Sequence, residues 1–350
     1  VPRPLDPAAA HGAHLLALPD GIAPEEVEVL AVSRFPHARW ERGPQADPQH
    51  PQRDVPGVLR LSRVSTLEGP FHVEPESRGA LGLPVAAAQA YVLHAPRERG
   101  AAPFRGAGDR DGMARAFAAG MPVRDELRVT TWLVAAARRL GGAVRCAGAP
   151  GDPTGGAILV PDPAAAVDLT LWSDIWLEPM AALVVTRRAV PRAHLEVGRA
   201  WQGPPEGTGT IPVIGAEDLD PRERAALHAH AEARDVEVLS APPVRTAFGL
   251  LAELGLDGKL SVRVGGEEDL PVVLADLPWA HDGAIAYRVA WEPDDLRDRE
   301  SERPPMEHRI ARRRVASLVD AVARELHAAV GGEITDEMGF LVDPADLAGR

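Results

Sequence analysis

Two long loops carry the side chains best placed for chemistry. The first follows Tyr91 and holds Arg97, Arg99, Arg105, Asp109 and Asp111; the second follows Tyr287 and holds Asp294, Asp295, Glu302, Glu307 and His308. Loops of this length that carry charge at equivalent places in a chain can converge on a shared cleft, where a ligand would meet two tyrosine-bearing strands. Tyr91, Arg105, Asp109, Asp111, Tyr287, Glu307 and His308 are therefore the candidate ligand-binding residues, against the plainer reading of solvated charge on a surface. No catalytic group can be assigned among them.

Other arrangements point away from familiar chemistry. His228 and His230 form an HxH pair, but on the helix that their surroundings predict they project about 200° apart and cannot share one ion. His228 and Glu232 have the right spacing, yet no third ligand accompanies them. The DRDG string at Asp109 lacks the spacing of a calcium loop. There is no GxxxxGK[ST], GxSxG, HExxH or SxxK pattern, and the glycine strings GAPGDPTGG and GPPEGTGT do not lie between a strand and a helix. The reading contains no cofactor and no metal.

The elements that position these loops recur. PEEVEVLAVSRFPHARWE from Pro24 is echoed by PMAALVVTRRAVPRAHLE from Pro179. In the same order, LEGPFHV from Leu67 matches LDGKLSV from Leu256, LPV from Leu83 matches LPV from Leu270, and AYV from Ala90 matches AYRV from Ala286. Each series ends with a long amphipathic helix stopped by Gly141-Gly142 or Gly331-Gly332, followed by ILVPDP or FLVDP. The only 2 tyrosines of the chain fall at equivalent positions. Helical spacing marks Val129, Trp132, Leu133, Ala136 and Leu140 as one face, and Val315, Leu318, Val319, Val322, Leu326 and Val330 as the other. Glu300, Glu302 and Glu307 are expected to offset Arg312, Arg313 and Arg314, and Trp172 with Trp176 to seal the junction of the halves.

The fold expected is α/β or α+β: an internal tandem duplication of two similar halves, each a mixed, mostly antiparallel sheet covered by helices, related by pseudo-twofold symmetry. The first copy spans 1–165 and the second 166–350, with a helix-strand insertion near 203–240. Within it, Asp220, Pro221 and Glu223 form a capping pattern ahead of an alanine-rich helix, and VEVL at Val236 resembles a strand.

Composition sets the remaining bounds. With 45% hydrophobic residues in 350, the chain can bury a core in either half, and its 33 glycines and 34 prolines punctuate turns. The net charge of −13 lies in the second half, since residues 1–165 carry 18 basic and 18 acidic side chains. An acidic surface without a basic stripe argues against nucleic acid, and no stretch approaches the length of a membrane span. Cys146 alone excludes a disulfide framework and fits a reducing, cytoplasmic setting. The function expected is that of a non-enzymatic scaffold or binding protein with a protein or small-molecule partner. The alternative is an enzyme with its site at the pseudo-twofold interface, formed by the loops after Tyr91 and Tyr287.

Overall fold

The computed structural model describes residues 2–46, 54–104, 106, 108–148, 156–196, 220–240 and 247–348. A short helix, α1 (Pro7–Ala10), leads into β1 (His14–Leu18), α2 (Pro24–Val32) and β2 (Arg39–Arg42). Two short strands, β3 (Gln45–Ala46) and β4 (Asp54–Val55), precede β5 (Gly57–Arg60), β6 (Thr66–His72), α3 (Pro75–Leu81) and β7 (Gln89–His94). Then come α4 (Met113–Ala116), the long α5 (Arg124–Arg139) and the hairpin β8 (Ala143–Ala147) and β9 (Gly156–Leu159). The second half runs β10 (Leu169–Ser173), α6 (Pro179–Ala189), β11 (His194–Glu196), α7 (Pro221–Ser240), β12 (Ala247–Glu253), β13 (Lys259–Glu267) and β14 (Ala284–Glu292). It ends with α8 (Leu296–Arg299), the long α9 (Met306–Val330), β15 (Glu333–Asp336) and β16 (Leu341–Val342).

These strands form two seven-stranded antiparallel sheets, ordered β2-β5-β6-β7-β1-β8-β9 and β11-β12-β13-β14-β10-β15-β16. The connectivity is the same in both: a meander on one side, the first strand inserted in the middle, and a hairpin on the other side. Register agrees too, since Tyr91 pairs with Leu16 and Tyr287 with Leu171. One sequence match is out of step. Leu67 lies opposite Leu93, and the residue opposite Val289 is Val262, so LEGPFHV corresponds to residues beyond LDGKLSV, whose Leu256 belongs to a 3₁₀ turn before β13.

Period-two burial explains why the central strands are apolar throughout. In β1, Leu16 and Leu18 face the core beneath α2 and α5, while Leu15 and Ala17 face a second cluster with Leu5, Leu81 and Leu83. In β10, Leu169 and Leu171 face α6 and α9, and Trp172 points the other way, toward Leu274 and Ala286. Helical periodicity then closes each core: Val129, Trp132, Leu133 and Ala136 are buried on α5, and Val315, Val319, Val322 and Leu326 on α9. Leu318 is only half-buried at the rim of that face. Trp172 and Trp176 pack within the second half, Trp176 edge-on to Phe248, and do not seal the junction.

The helix of the insertion starts as its capping pattern predicts, with Asp220 accepting from the backbone of Arg222 and Glu223 at 2.7 and 3.0 Å. It does not end where expected. The predicted strand at Val236 is the continuation of α7, because a nucleated, alanine-rich helix gains a hydrogen bond with each added residue, whereas a new strand needs a partner. No helix among the described residues is long and apolar enough to cross a membrane.

The two halves interlock at a hairpin turn. Asp336 accepts from the backbone of Met338 and Phe340 at 2.9 and 3.0 Å, and Gly339 takes the left-handed φ of +81° that closes the turn. This geometry delivers Phe340, 2% exposed, into the core of the first half beside Leu133 and Leu159. Truncation of a phenylalanine so enclosed leaves a cavity shared by both halves. Phe340→Ala is expected to lower stability by about 3–5 kcal/mol, read as a fall in the urea midpoint. An unchanged midpoint would show that the turn does not hold the halves together.

Candidate functional site

The two helices that cover the sheets also bring arginines together. Arg138 and Arg139 lie in the last turn of α5, where a cation suits the helix dipole, and Arg309, Arg312 and Arg313 lie at i, i+3 and i+4 on α9. All five line one cleft of about 660 Å³, closed by residues 163–169 between the halves and by Asp336 and Met338 of the hairpin turn. The rest of its wall is Ala135, Ala164, Val167, Leu169, Ala316 and Ser317, with Asp320 at one side. In a chain of net charge −13, this is a local concentration of guanidinium groups.

Two of the five are held by carboxylates. Arg138, with its side chain 5% exposed, donates to Asp111 and lies 3.7 Å from Glu337, while Arg312 donates to Asp162 at the start of the connecting segment. Arg139 donates to the Leu341 carbonyl at 3.2 Å. Among the described residues, no carboxylate lies within ion-pair distance of Arg309 or Arg313, both exposed. The Arg138 Nε is buried and has no hydrogen-bond partner among the described residues. Such an orphan donor loses its water without replacement, a cost of about 1–3 kcal/mol. Burial pushes the Asp336 carboxyl above its usual range, and the backbone N–H groups of Phe340 and Met338 pull it back only in part.

The charged loops after Tyr91 and Tyr287 do meet, beside this cleft. The Asp109 N–H donates to the Glu300 carbonyl at 2.8 Å, and Arg115 makes a bidentate pair with Glu302 at 2.7 and 3.0 Å. Most of the predicted side chains are consumed locally. Asp109 caps α4 by accepting from Ala114 and Arg115 backbone N–H groups at 2.8 and 3.0 Å. Asp111 holds Arg138, Glu307 is exposed in the first turn of α9, and Arg105 lies outside the described residues. His308 is buried 4.8 Å from the Trp291 ring, its pKa held down by burial and by Arg312. His228 and His230 sit on α7, and no group of three metal-ligating side chains occurs among the described residues. Glu302 serves Arg115, so Arg312 and Arg314 take Asp162 and Asp257 as partners, not the glutamates expected from sequence.

Neither tyrosine is brought to a cleft; both are 0% exposed, in separate cores. The Tyr287 hydroxyl donates to the Ile175 carbonyl at 2.7 Å and accepts from the Leu177 N–H at 2.8 Å, tethering the segment that enters α6. In the first half, the corresponding segment is held by Gln89, whose amide donates to the carbonyls of Pro19 and Ile22 at 3.2 and 2.8 Å. The Tyr91 hydroxyl is left buried without a partner among the described residues, and burial pushes its pKa up. Cys146 is likewise inert, its thiol pushed by burial up to about 12.

A second buried polar group is built for stability. His14 Nδ1 accepts from the Ala147 N–H at 3.1 Å, which fixes its proton on Nε2, donated to Glu126 at 3.0 Å. Glu126, 0% exposed, also meets Arg99 at 2.7 Å and accepts from the Glu98 N–H at 2.7 Å. Burial lowers the His14 pKa below 6.5, against the pull of Glu126.

The arginine cleft was not recognised in sequence. Its one visible trace is the spacing of Arg309, Arg312 and Arg313 on a helix whose opposite face is apolar. A scan of family models, a search of curated proteins and a search of solved structures each found no match to this chain.

Tyr91→Phe removes an orphan hydroxyl and is expected to leave stability unchanged or slightly raised, whereas Tyr287→Phe strands two backbone groups and is expected to cost about 1–3 kcal/mol. Equal urea midpoints for the two variants would contradict this asymmetry. A group whose folded pKa is depressed supplies stability above its unfolded pKa and loses it as pH falls below that value, here 6.5 for His14. The urea midpoint is therefore expected to fall between pH 7 and pH 5.5, and His14→Gln, which keeps the donor to Glu126 but cannot titrate, is expected to flatten that dependence. A His14→Gln profile parallel to that of the parent protein would remove His14 from the account.

Proposed function

We propose that this protein is a non-enzymatic binding protein, made by tandem duplication of one α/β module with the copies at 1–165 and 166–350 related by pseudo-twofold symmetry, and that it holds a small anionic ligand in the cleft between α5 and α9. The observation that carries this reading is the convergence of five arginines on one cleft of a strongly acidic chain. Guanidinium groups hold anions through directed, charge-assisted hydrogen bonds, and a cleft walled by low-dielectric side chains strengthens that attraction. Common strand order, matching register and the ordered sequence matches support the duplication. The acidic exterior argues against nucleic acid as the partner, and the reduced, buried thiol of Cys146 suits a cytoplasmic setting.

An enzyme built at the meeting of the two charged loops is the second reading. It is favoured by the contact of Asp109 with Glu300 and by the open cavity of about 560 Å³ that Arg110, Asp111, Arg299 and Glu300 line. It stands second because three of those charges are already paired with groups outside the cavity: Arg110 with Glu337 at 2.9 Å, Arg299 with Asp168, and Asp111 with Arg138.

Calorimetric titration with pyrophosphate and with citrate tests the first reading. Saturable binding is expected, weakened at least tenfold in the double variant Arg309→Glu, Arg313→Glu, whose exposed positions leave the fold intact by circular dichroism. The absence of binding by either anion, or binding that the double variant retains, would overturn it.

A further inference from the structure

We infer that the occupant of the α5–α9 cleft is an amphipathic aliphatic anion: an alkyl chain bearing a phosphate or carboxylate head. This deepens the anion-binding reading above and rests on it. Besides the arginines and the carboxylates of Asp320 and Asp336, the lining is largely aliphatic, supplied by Ala135 of α5, Val167 and Leu169 of the connection into β10, Ala316 of α9 and Met338 of the hairpin turn. No aromatic ring belongs to the described lining, so a nucleobase would find no ring to stack on, and an aliphatic chain finds the contact it needs. Small side chains at Ala135, Ala164, Ala166 and Ala316 leave room for a chain to lie between the helices.

The polar groups are sorted along α9. Arg309, Arg312 and Arg313 occupy its first turns, the small Ala316 and Ser317 follow, and Asp320 lies about 10 Å along the helix beyond Arg313, so that an anionic head is drawn to the arginine end and its tail runs over Ala316. The volume of about 660 Å³ lies within the range of clefts that enclose small organic ligands. Met338 has sulfur and rotatable bonds that adapt to chains of different length.

A homologous series tests the tail separately from the charge. Calorimetry with ethyl, butyl, hexyl and octyl phosphate, each below its micellar concentration, is expected to show affinity rising about fourfold per methylene until the cleft is filled. Ala316→Leu, which fills the aliphatic wall, is expected to weaken octyl phosphate several-fold and leave ethyl phosphate unchanged. Octanoate beside octyl phosphate identifies the preferred head, and tight binding of either supports the inference. A series that binds with one affinity from ethyl to octyl would overturn the aliphatic tail while leaving the anion site standing. No binding by any member would overturn both readings. Neutral octyl glucoside binding as tightly as octyl phosphate, in the parent and in the Arg309→Glu, Arg313→Glu variant alike, would show mere adhesion to apolar surface and overturn the inference.

Discussion

A guanidinium that is 5% exposed cannot be left alone, and the groups that compensate Arg138 come from both halves of the chain: Asp111 from the loop after β7 and Glu337 from the turn after β15. Removing a cation from water costs several kcal/mol, which only well-placed opposite charge returns. Glu337 in turn meets Arg110 at 2.9 Å, and Arg299 links the same layer to Asp168 at the start of β10. The position of α5 against the second half is therefore tied to the position of the loops, and the cleft is the space that this ionic layer leaves beside it. Phe340 supplies the apolar counterpart, since its ring fills the first core only when the hairpin turn sits where Glu337 can reach Arg138.

The halves share a strand order but differ in their interactions. The segment that enters the first helix of each half must be fastened, because its backbone polar groups would otherwise be stranded near the core. The second half fastens it with the Tyr287 hydroxyl, and the first with the Gln89 amide. With Gln89 in that role, Tyr91 serves as a large buried hydrophobe whose hydroxyl has no partner among the described residues. Gly69, whose added Cβ would lie 2.6 Å from the Tyr91 ring, shows how closely the backbone packs there. Side-chain identity at equivalent positions thus says more about packing volume than about shared chemistry.

Charge follows a similar division. The acidic excess belongs to the second half of the sequence, while five arginines line the cleft where α5, α9 and the chain connection meet. Arg138 and Arg312 are fixed by carboxylates and shape the wall; Arg309 and Arg313 are exposed.

The sequence alone determined the elements and their recurrence. The spacing of its apolar residues placed the strands that bear Tyr91 and Tyr287 and the buried faces of α5 and α9, because burial acts residue by residue and leaves its spacing in the chain. It also marked the two charged loops, which do meet. What it could not contain is pairing: which arginine meets which carboxylate, which tyrosine finds a backbone partner, and where β6 and β13 correspond, since local similarity misplaced that match by six residues, from Val262 to Leu256. Arg138 and Arg312 are far apart in sequence and read as ordinary helical surface charges. Only the packing of α5 against the second half turned them inward and put them on opposite walls of one cleft, because contacts between distant segments are set by tertiary geometry and leave no periodic trace.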